Sequence, residues 1–266
     1  MGGAAHTAIV PQERAVAPEA VATRGVVILA ATSAIARAIA NELAARGYAL
    51  ILAARDMEDA EAIAQDLRVR QEAVVYAMQW DAADFDSHAA FVDSCVDRFG
   101  GELEGVVMVS GFQEDQKRAE SDWAASKRSI DVNLTGAVSV LNQFANRLEG
   151  QGHGFIVGIS SVAGDRGRQS NYLYGAAKAG FTTYLEGLRN RLYHVGVHVL
   201  TVKPGFVDTK ATYGEVPFAA DPKDVGRAIV LALERRRNVI YVPWFWRYIM
   251  LIIRLVPETV FKRLKM

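Results

Sequence analysis

Short, unbroken apolar runs alternate here with longer stretches of helical period, and that alternation most restricts what the chain can become. Val26–Leu29, Ala49–Ala53, Ala73–Met78, Gly105–Val109, Gly154–Ile159, Val197–Val202 and Val239–Val242 read as strands. Ser33–Arg46, Glu58–Arg70, Asp86–Phe99, Glu120–Ile130, Asn133–Leu148, Tyr172–Tyr193 and Pro222–Glu234 read as helices; the second places Ala60, Ile63, Ala64 and Leu67 on one face. Strands that are apolar without alternation are buried on both faces, as in a parallel sheet. Repeated strand–helix–strand units close as right-handed crossovers. The predicted fold is α/β, a doubly wound parallel sheet of about seven strands in a single domain over residues 25–243. In such a sheet, ligands bind outside the carboxyl ends of the strands.

Several function classes are disfavoured. Thirty basic residues balance thirty acidic ones, so no global field draws the chain to nucleic acid. The single cysteine, Cys95, cannot form an intrachain disulfide and fits a reducing, cytoplasmic setting. His6, His88, His153, His194 and His198 lack metal-ligand spacing, and no metal site is expected. Residues 1–24 carry no basic start followed by an apolar run, so they read as a flexible leader rather than a secretory signal.

The chemistry starts at Tyr174-Gly175-Ala176-Ala177-Lys178. Positions four apart share a helix face, so a phenol and an ammonium project into the same space. The ammonium is expected to lower the phenol's pKa and make it a usable acid or base near neutrality. Ser161 lies thirteen residues earlier, in Ser160-Ser161-Val162-Ala163-Gly164, directly after a buried strand. Asn133 sits inside a helical stretch, where a polar amide needs a reason, and Pro204-Gly205-Phe206-Val207-Asp208-Thr209 follows the sixth strand. Each alone reads as a cap, a turn or a solvated polar group; their joint order at the sheet's carboxyl edge points to a site.

On these residues the sequence, from Val26 to about Val242, resembles the single-domain branch of the short-chain dehydrogenase/reductase family. The resemblance implies a Rossmann-type fold and a catalytic tetrad of Asn133, Ser161, Tyr174 and Lys178. Ser161 would hydrogen-bond the substrate oxygen and Tyr174 deliver the proton. Lys178 would tune Tyr174 and hold the nicotinamide ribose, and Asn133 would position a water in the proton relay. Pro204, Gly205, Val207 and Thr209 would hold the nicotinamide end, and Asp81 with Ala82 the adenine end. Ser110 and Gly111 would flank the cofactor. The implied activity is reduction of a carbonyl to an alcohol, or the reverse. Homodimers or homotetramers are common in the family.

Two stretches depart from the family pattern. The glycine-rich turn reads Ala30-Ala31-Thr32-Ser33-Ala34-Ile35-Ala36, with alanine where all three glycines would be. An alanine at positive φ costs roughly 1–2 kcal/mol, and each methyl crowds the phosphates. A turn at negative φ throughout would avoid that cost, and the N–H groups of the following helix remain available to an anion. Met108-Val109 stands where the family has two asparagines. Cofactor choice follows from Ala53-Ala54-Arg55 after the second strand, where an acid would repel a 2′-phosphate and Arg55 offers it a planar fork. Ser33 adds a hydroxyl. NADP(H) is therefore expected over NAD(H), with adjoining Asp56 as the opposing feature.

The tail, residues 244–266, is rich in Trp, Phe, Ile and Leu, with Arg247 and Arg254 seven apart and Lys262, Arg263 and Lys265 beyond. It is too short and too charged for a span, but suits an interfacial helix at the inner face of a membrane. Oligomer contact or packing over the pocket is the competing expectation. Tail and turn look similar to family members that reduce lipid-linked sugars, of the decaprenylphosphoryl-ribose keto-reductase kind, so a small-molecule or lipid-linked substrate is expected. The alternative to an enzyme is a non-catalytic scaffold of the same fold at a membrane surface.

Overall fold

The structure, a computed structural model, describes residues 24–209 and 219–264. The leader to residue 23, residues 210–218, and Lys265 and Met266 of the tail lie outside the described residues. The strands are β1 (Gly25–Leu29), β2 (Ala49–Ala54), β3 (Val75–Gln79), β4 (Gly105–Met108), β5 (Phe155–Ile159), β6 (His198–Pro204) and β7 (Val239–Val242). They form one sheet in the order β3-β2-β1-β4-β5-β6-β7 with every pairing parallel. The order reverses between β1 and β4, which opens a crevice at their carboxyl ends.

The helices are α1 (Ala34–Ala44), α2 (Met57–Gln71), α3 (His88–Arg98), α4 (Gln116–Ser121), α5 (Trp123–Ile130), α6 (Gly136–Gln151), α7 (Tyr172–Tyr193), α8 (Pro222–Glu234), α9 (Trp246–Leu255) and α10 (Glu258–Phe261). Alternation along each strand divides the core into two layers. Val26 and Ile28 of β1 pack with Ile39 and Leu43 of α1 and Ile229 of α8. Val27 and Leu29 pack with Val140 and Phe144 of α6 and Phe181 and Leu185 of α7. The continuous apolar runs are explained by this two-sided burial.

Differences from the sequence expectation are local. Glu72 takes φ +52° to end α2, so β3 starts at Val75 rather than Ala73. The helix expected over Glu120–Ile130 is two helices, because Asp122 leaves helical geometry and caps α5 by accepting from the Ala124 N–H at 2.9 Å. Residues Asp131–Thr135 form a π turn ahead of α6. Such a turn carries one extra residue per hydrogen-bonded ring, and it turns Asn133 fully inward.

Candidate active site

The crevice is a cleft of about 1000 Å³. Its walls include all the expected cofactor residues: Ala30, Thr32, Ser33, Ala34, Ile35, Arg55, Asp81, Ala82, Ser110, Gly111, Pro204, Gly205, Val207 and Thr209. Ser161, Tyr174 and Lys178 line it as well.

At the β1–α1 turn, Ala30 stands at φ +59°, so the turn does not run at negative φ throughout. It is the only alanine at positive φ among the described residues. Ser33 caps α1 by accepting from the Ala36 N–H at 3.2 Å, which leaves its hydroxyl proton free for an oxyanion. The first turn of α1 has no acidic residue. Arg37, which carries no sequence signal of its own, lines the same end, and its Nη2 donates to both carboxylate oxygens of Asp59 at 2.6 Å. Asp56 caps α2, accepting from the Asp59 N–H at 3.1 Å. Both nearby acids therefore already have partners, whereas the exposed Arg55 guanidinium has none among the described residues.

The adenine end is braced from beneath. His88, fully buried, bridges the Asp81 carbonyl at 3.0 Å and the Ser139 hydroxyl at 2.9 Å, a structural role. A methyl group at Gly136 would meet the Ala82 carbonyl oxygen at 2.0 Å, so only glycine lets α6 start against this loop. Met108 and Val109, where the family has asparagines, are buried apolar residues.

At the opposite end, Ser161 ends the β5 run and accepts from the Ala163 N–H at 3.1 Å. Tyr174 and Lys178 sit on α7, whose close approach to the Ser161 loop depends on Gly164. Lys178 is buried and donates to the carbonyls of Ser110 at 2.6 Å and Ile159 at 2.9 Å, tying the ends of β4 and β5 together. Burial pulls its pKa down to about 7. The Tyr174 phenol shifts opposite to the expected direction. Burial pushes it up to about 12, against a hydrogen bond with Ser161, and the Lys178 ammonium is not among the causes. Lys178 Nζ lies 5.7 Å from the phenol ring centre, with two of its three donors committed to carbonyls.

Asn133 is not brought together with the other three. It is fully buried and does not line the cleft; its Oδ1 has no partner among the described residues, and its amide donates to the carbonyls of Phe112 at 2.6 Å and Ser129 at 2.8 Å. Its side chain thus holds a cleft-lining loop against α5. Arg128, Arg168 and Asn171 line the cleft near Ser161 and Tyr174 without having been singled out from sequence. Arg168 and Asn171 fall outside any periodic pattern, and only their place between Ser161 and Tyr174 along the chain could have marked them; Arg128 sits in α5, where a basic residue reads as a solvated face.

A dinucleotide fits what is present. Ser110 Oγ is buried on the cleft wall with no hydrogen-bond partner, although buried hydroxyls normally have one. No group of three His, Cys, Asp or Glu able to hold a metal occurs among the described residues.

The tail packs on this site. A methyl group at Gly205 would meet Trp246 Nε1 at 1.9 Å, and Trp246 and Met250 form a small apolar cluster with Val162, next to Ser161. Arg166 reaches across to the carbonyls of Ile253 and Val256, both at 2.6 Å, and to Glu258 at 3.0 Å. The outer face of α9 is open: Ile252 is 65% exposed, and Trp244 just before it and Leu255 are each 72% exposed. No described helix is long and apolar enough to cross a membrane.

Comparison with known proteins agrees with this architecture. A family model for short chain dehydrogenase matches residues 24–217. An uncharacterized oxidoreductase of Mycobacterium tuberculosis is 35% identical over 241 residues, covering 90% of this chain and 96% of that protein. Another, from Streptomyces coelicolor, is 36% identical over 243 residues, 91% and 96% of the two chains. A short-chain dehydrogenase from Sphingobium yanoikuyae, solved in complex with NADPH, superposes with a TM-score of 0.76 at 26% identity, over 83% of this chain and 88% of that one. The chain belongs to the short-chain dehydrogenase/reductase family of oxidoreductases.

Proposed function

We propose that the protein reduces a carbonyl to an alcohol, or runs the reverse reaction, with a nicotinamide dinucleotide held along the cleft and Tyr174 as the proton donor. The observation that carries this reading is that Ser161, Tyr174 and Lys178 line one wall of a cleft at the carboxyl ends of the strands. Ser33, the α1 N-terminus, Asp81, Ser110 and the Pro204–Thr209 turn would hold the dinucleotide. When bound, the nicotinamide supplies or takes up the hydride at the substrate carbon.

The chain's own residues handle the proton. The Ser161 oxygen accepts from Ala163, and its hydroxyl, hydrogen-bonded with Tyr174, would turn to donate to the substrate oxygen. The Tyr174 O–H, protonated at neutral pH, gives its proton to the same oxygen as negative charge develops there. Lys178 has one N–H left after its two carbonyl bonds, available to a ribose hydroxyl. The amine, brought down to about 7 by burial, is partly protonated at neutral pH, and in that form it would stabilise the phenolate that remains after transfer. Asn133 serves as a positioning residue through Phe112. A screen of ketones and keto-sugars with NADPH and NADH in parallel tests the reading. Turnover at the wild-type rate by Tyr174→Phe would remove Tyr174 from its role.

NADP(H) is favoured over NAD(H) because Arg55 is the uncommitted charge beside the ribose position, while Asp56 and Asp59 already hold partners. The open face of α9 favours a second reading for the tail, contact with an anionic membrane surface and access to a lipid-linked substrate. Arg247, Arg254, Lys262 and Arg263 are all exposed beside the apolar side chains. Deleting the tail would strip Trp246 from the site, so the fitting test is a Leu251→Ser/Ile252→Ser/Leu255→Ser variant. Reduced flotation with phosphatidylglycerol vesicles is expected, and unchanged flotation would remove the membrane reading.

A further inference from the structure

Arg166 and Arg168 are separated by one glycine in the loop between β5 and α7, and their surroundings are opposite. Arg166 has carbonyl partners, a carboxylate and the Phe261 ring 3.7 Å from its guanidinium carbon. Arg168 has no carboxylate, carbonyl or hydroxyl partner among the described residues. Its Nε is fully buried with its hydrogen-bonding capacity unmet, and the side chain lines the cleft beside Ser161 and Tyr174. A buried guanidinium N–H without an acceptor is destabilising, so its persistence at a cleft calls for a ligand that satisfies it.

We infer that the substrate end of the cleft is built for a carbonyl or alcohol substrate bearing an oxyanion, a carboxylate or a phosphate, with Arg168 as its counter-charge. This inference rests on the oxidoreductase reading above and adds the substrate class to it. Three further observations point the same way. Asn171 also lines the cleft, and its side-chain amide does not cap α7. Either orientation of that amide leaves its N–H groups free to donate. The 22-residue α7 begins at the next residue with no acid in its first turn, so the positive end of its dipole is not offset by its own sequence. Arg128 stands on the rim over the Phe112 ring at 4.8 Å, again without a carboxylate.

Charge along the cleft is divided accordingly. The acids that line it are Asp56, Asp59 and Asp81, all at the far end where β2 and β3 finish. Arg37 and Arg55 stand among those acids, whereas the end where β5 finishes carries Arg128, Arg168 and Lys178 with no acid among the described residues lining it. Burial also holds the Arg168 guanidinium below its ordinary pKa, a strain that an anion would relieve. Arg168 follows β5, whereas the turn expected to hold the dinucleotide phosphates follows β1, so the two cationic features serve different ends.

Calorimetric titration of the full chain, with and without saturating NADPH, tests this. The probes are two matched pairs: levulinate against methyl levulinate, and dihydroxyacetone phosphate against dihydroxyacetone. At least one anion is expected to bind about tenfold tighter than its neutral partner, and the pair showing it distinguishes carboxylate from phosphate. In Arg168→Gln that margin should fall below about twofold, while Arg168→Lys, which keeps charge but loses the fork, should retain part of it. Arg168→Met repeats the test with a packing-conserving side chain if the glutamine variant does not fold. Equal binding of both anions and their neutral partners to the wild-type protein overturns the inference, whatever the variants do. So does a margin that survives in Arg168→Gln, or an equal loss of NADPH affinity there, which would assign Arg168 to the dinucleotide. Failure of NADPH to bind overturns the nicotinamide reading instead, and the anion margin without NADPH then still decides this one.

Discussion

The two ends of the cleft solve different problems. Where β1 ends, the wall is a turn of small side chains whose work is to leave room and to present N–H groups. Where β5 ends, the wall carries a hydroxyl, a phenol and a buried amine, and in the proposed reaction each has a particular proton to donate or hold. The first end departs from its family's pattern at all three glycines, yet it keeps a capped α1 and admits Ala30 at φ +59°. The second end keeps Ser161, Tyr174 and Lys178. A spatial requirement can be met by several residues at a modest backbone cost. A proton donor at a fixed point on a helix has no such substitutes.

That contrast can be broken by mutation, and the largest effect should come at the end where β5 finishes, the proposed catalytic end. Tyr174→Phe is expected to lower kcat about 1000-fold, read in steady-state assays with cofactor saturating. Ser161→Ala should lower kcat about 100-fold, because it removes one donor to the oxygen where charge develops. At the other end the effect should move to binding. Arg55→Ala should lower the NADPH-over-NADH preference in kcat/KM about tenfold. An unaltered ratio would remove Arg55 from cofactor choice.

Next comes an effect of pH on stability. Below about pH 7 both the folded and the unfolded chain carry the Lys178 proton; between about 7 and the ordinary lysine value of 10.5 only the unfolded chain does. The unfolded chain binds more protons in that window, so raising the pH through it should stabilise the wild-type fold relative to Lys178→Met. Tyr174 acts in the reverse sense at higher pH: between 10 and about 12 only the folded chain keeps the phenolic proton, so its contribution is lost as the pH rises. Thermal melts of wild type and Lys178→Met from pH 6 to 10 check the first part. Parallel melting curves would contradict it. The smallest effect should be that of Ala30→Gly, where relief of a left-handed alanine of roughly 1–2 kcal/mol is partly offset by glycine's freedom in the unfolded chain. A rise in Tm of about 1–2 °C is expected.

The sheet was legible in the sequence because burial on both faces leaves a run such as Val26–Leu29 with no polar interruption. Tyr174 and Lys178 were legible because helical spacing alone puts them on one face. The turn at Asp131–Thr135 was not, since its extra residue depends on a hydrogen-bond shift that leaves no mark on apolar periodicity. The direction of the Tyr174 shift was missed because sequence shows the ammonium four residues away but not the burial that outweighs it, nor the carbonyls of Ser110 and Ile159 that engage Lys178. Arg168 was missed because Arg166 and Arg168 look equivalent along the chain, and only the docking of α9 and α10 separates them.

The collar that Arg166 makes around the end of α9 bears on how the protein can be handled. Because Trp246 is seated on Gly205 and beside Val162, nicking or trimming the chain in the 244–256 region would loosen the floor under Ser161 as well as detach a terminal segment. A protease-susceptibility assay would then report on the integrity of the wall around Ser161.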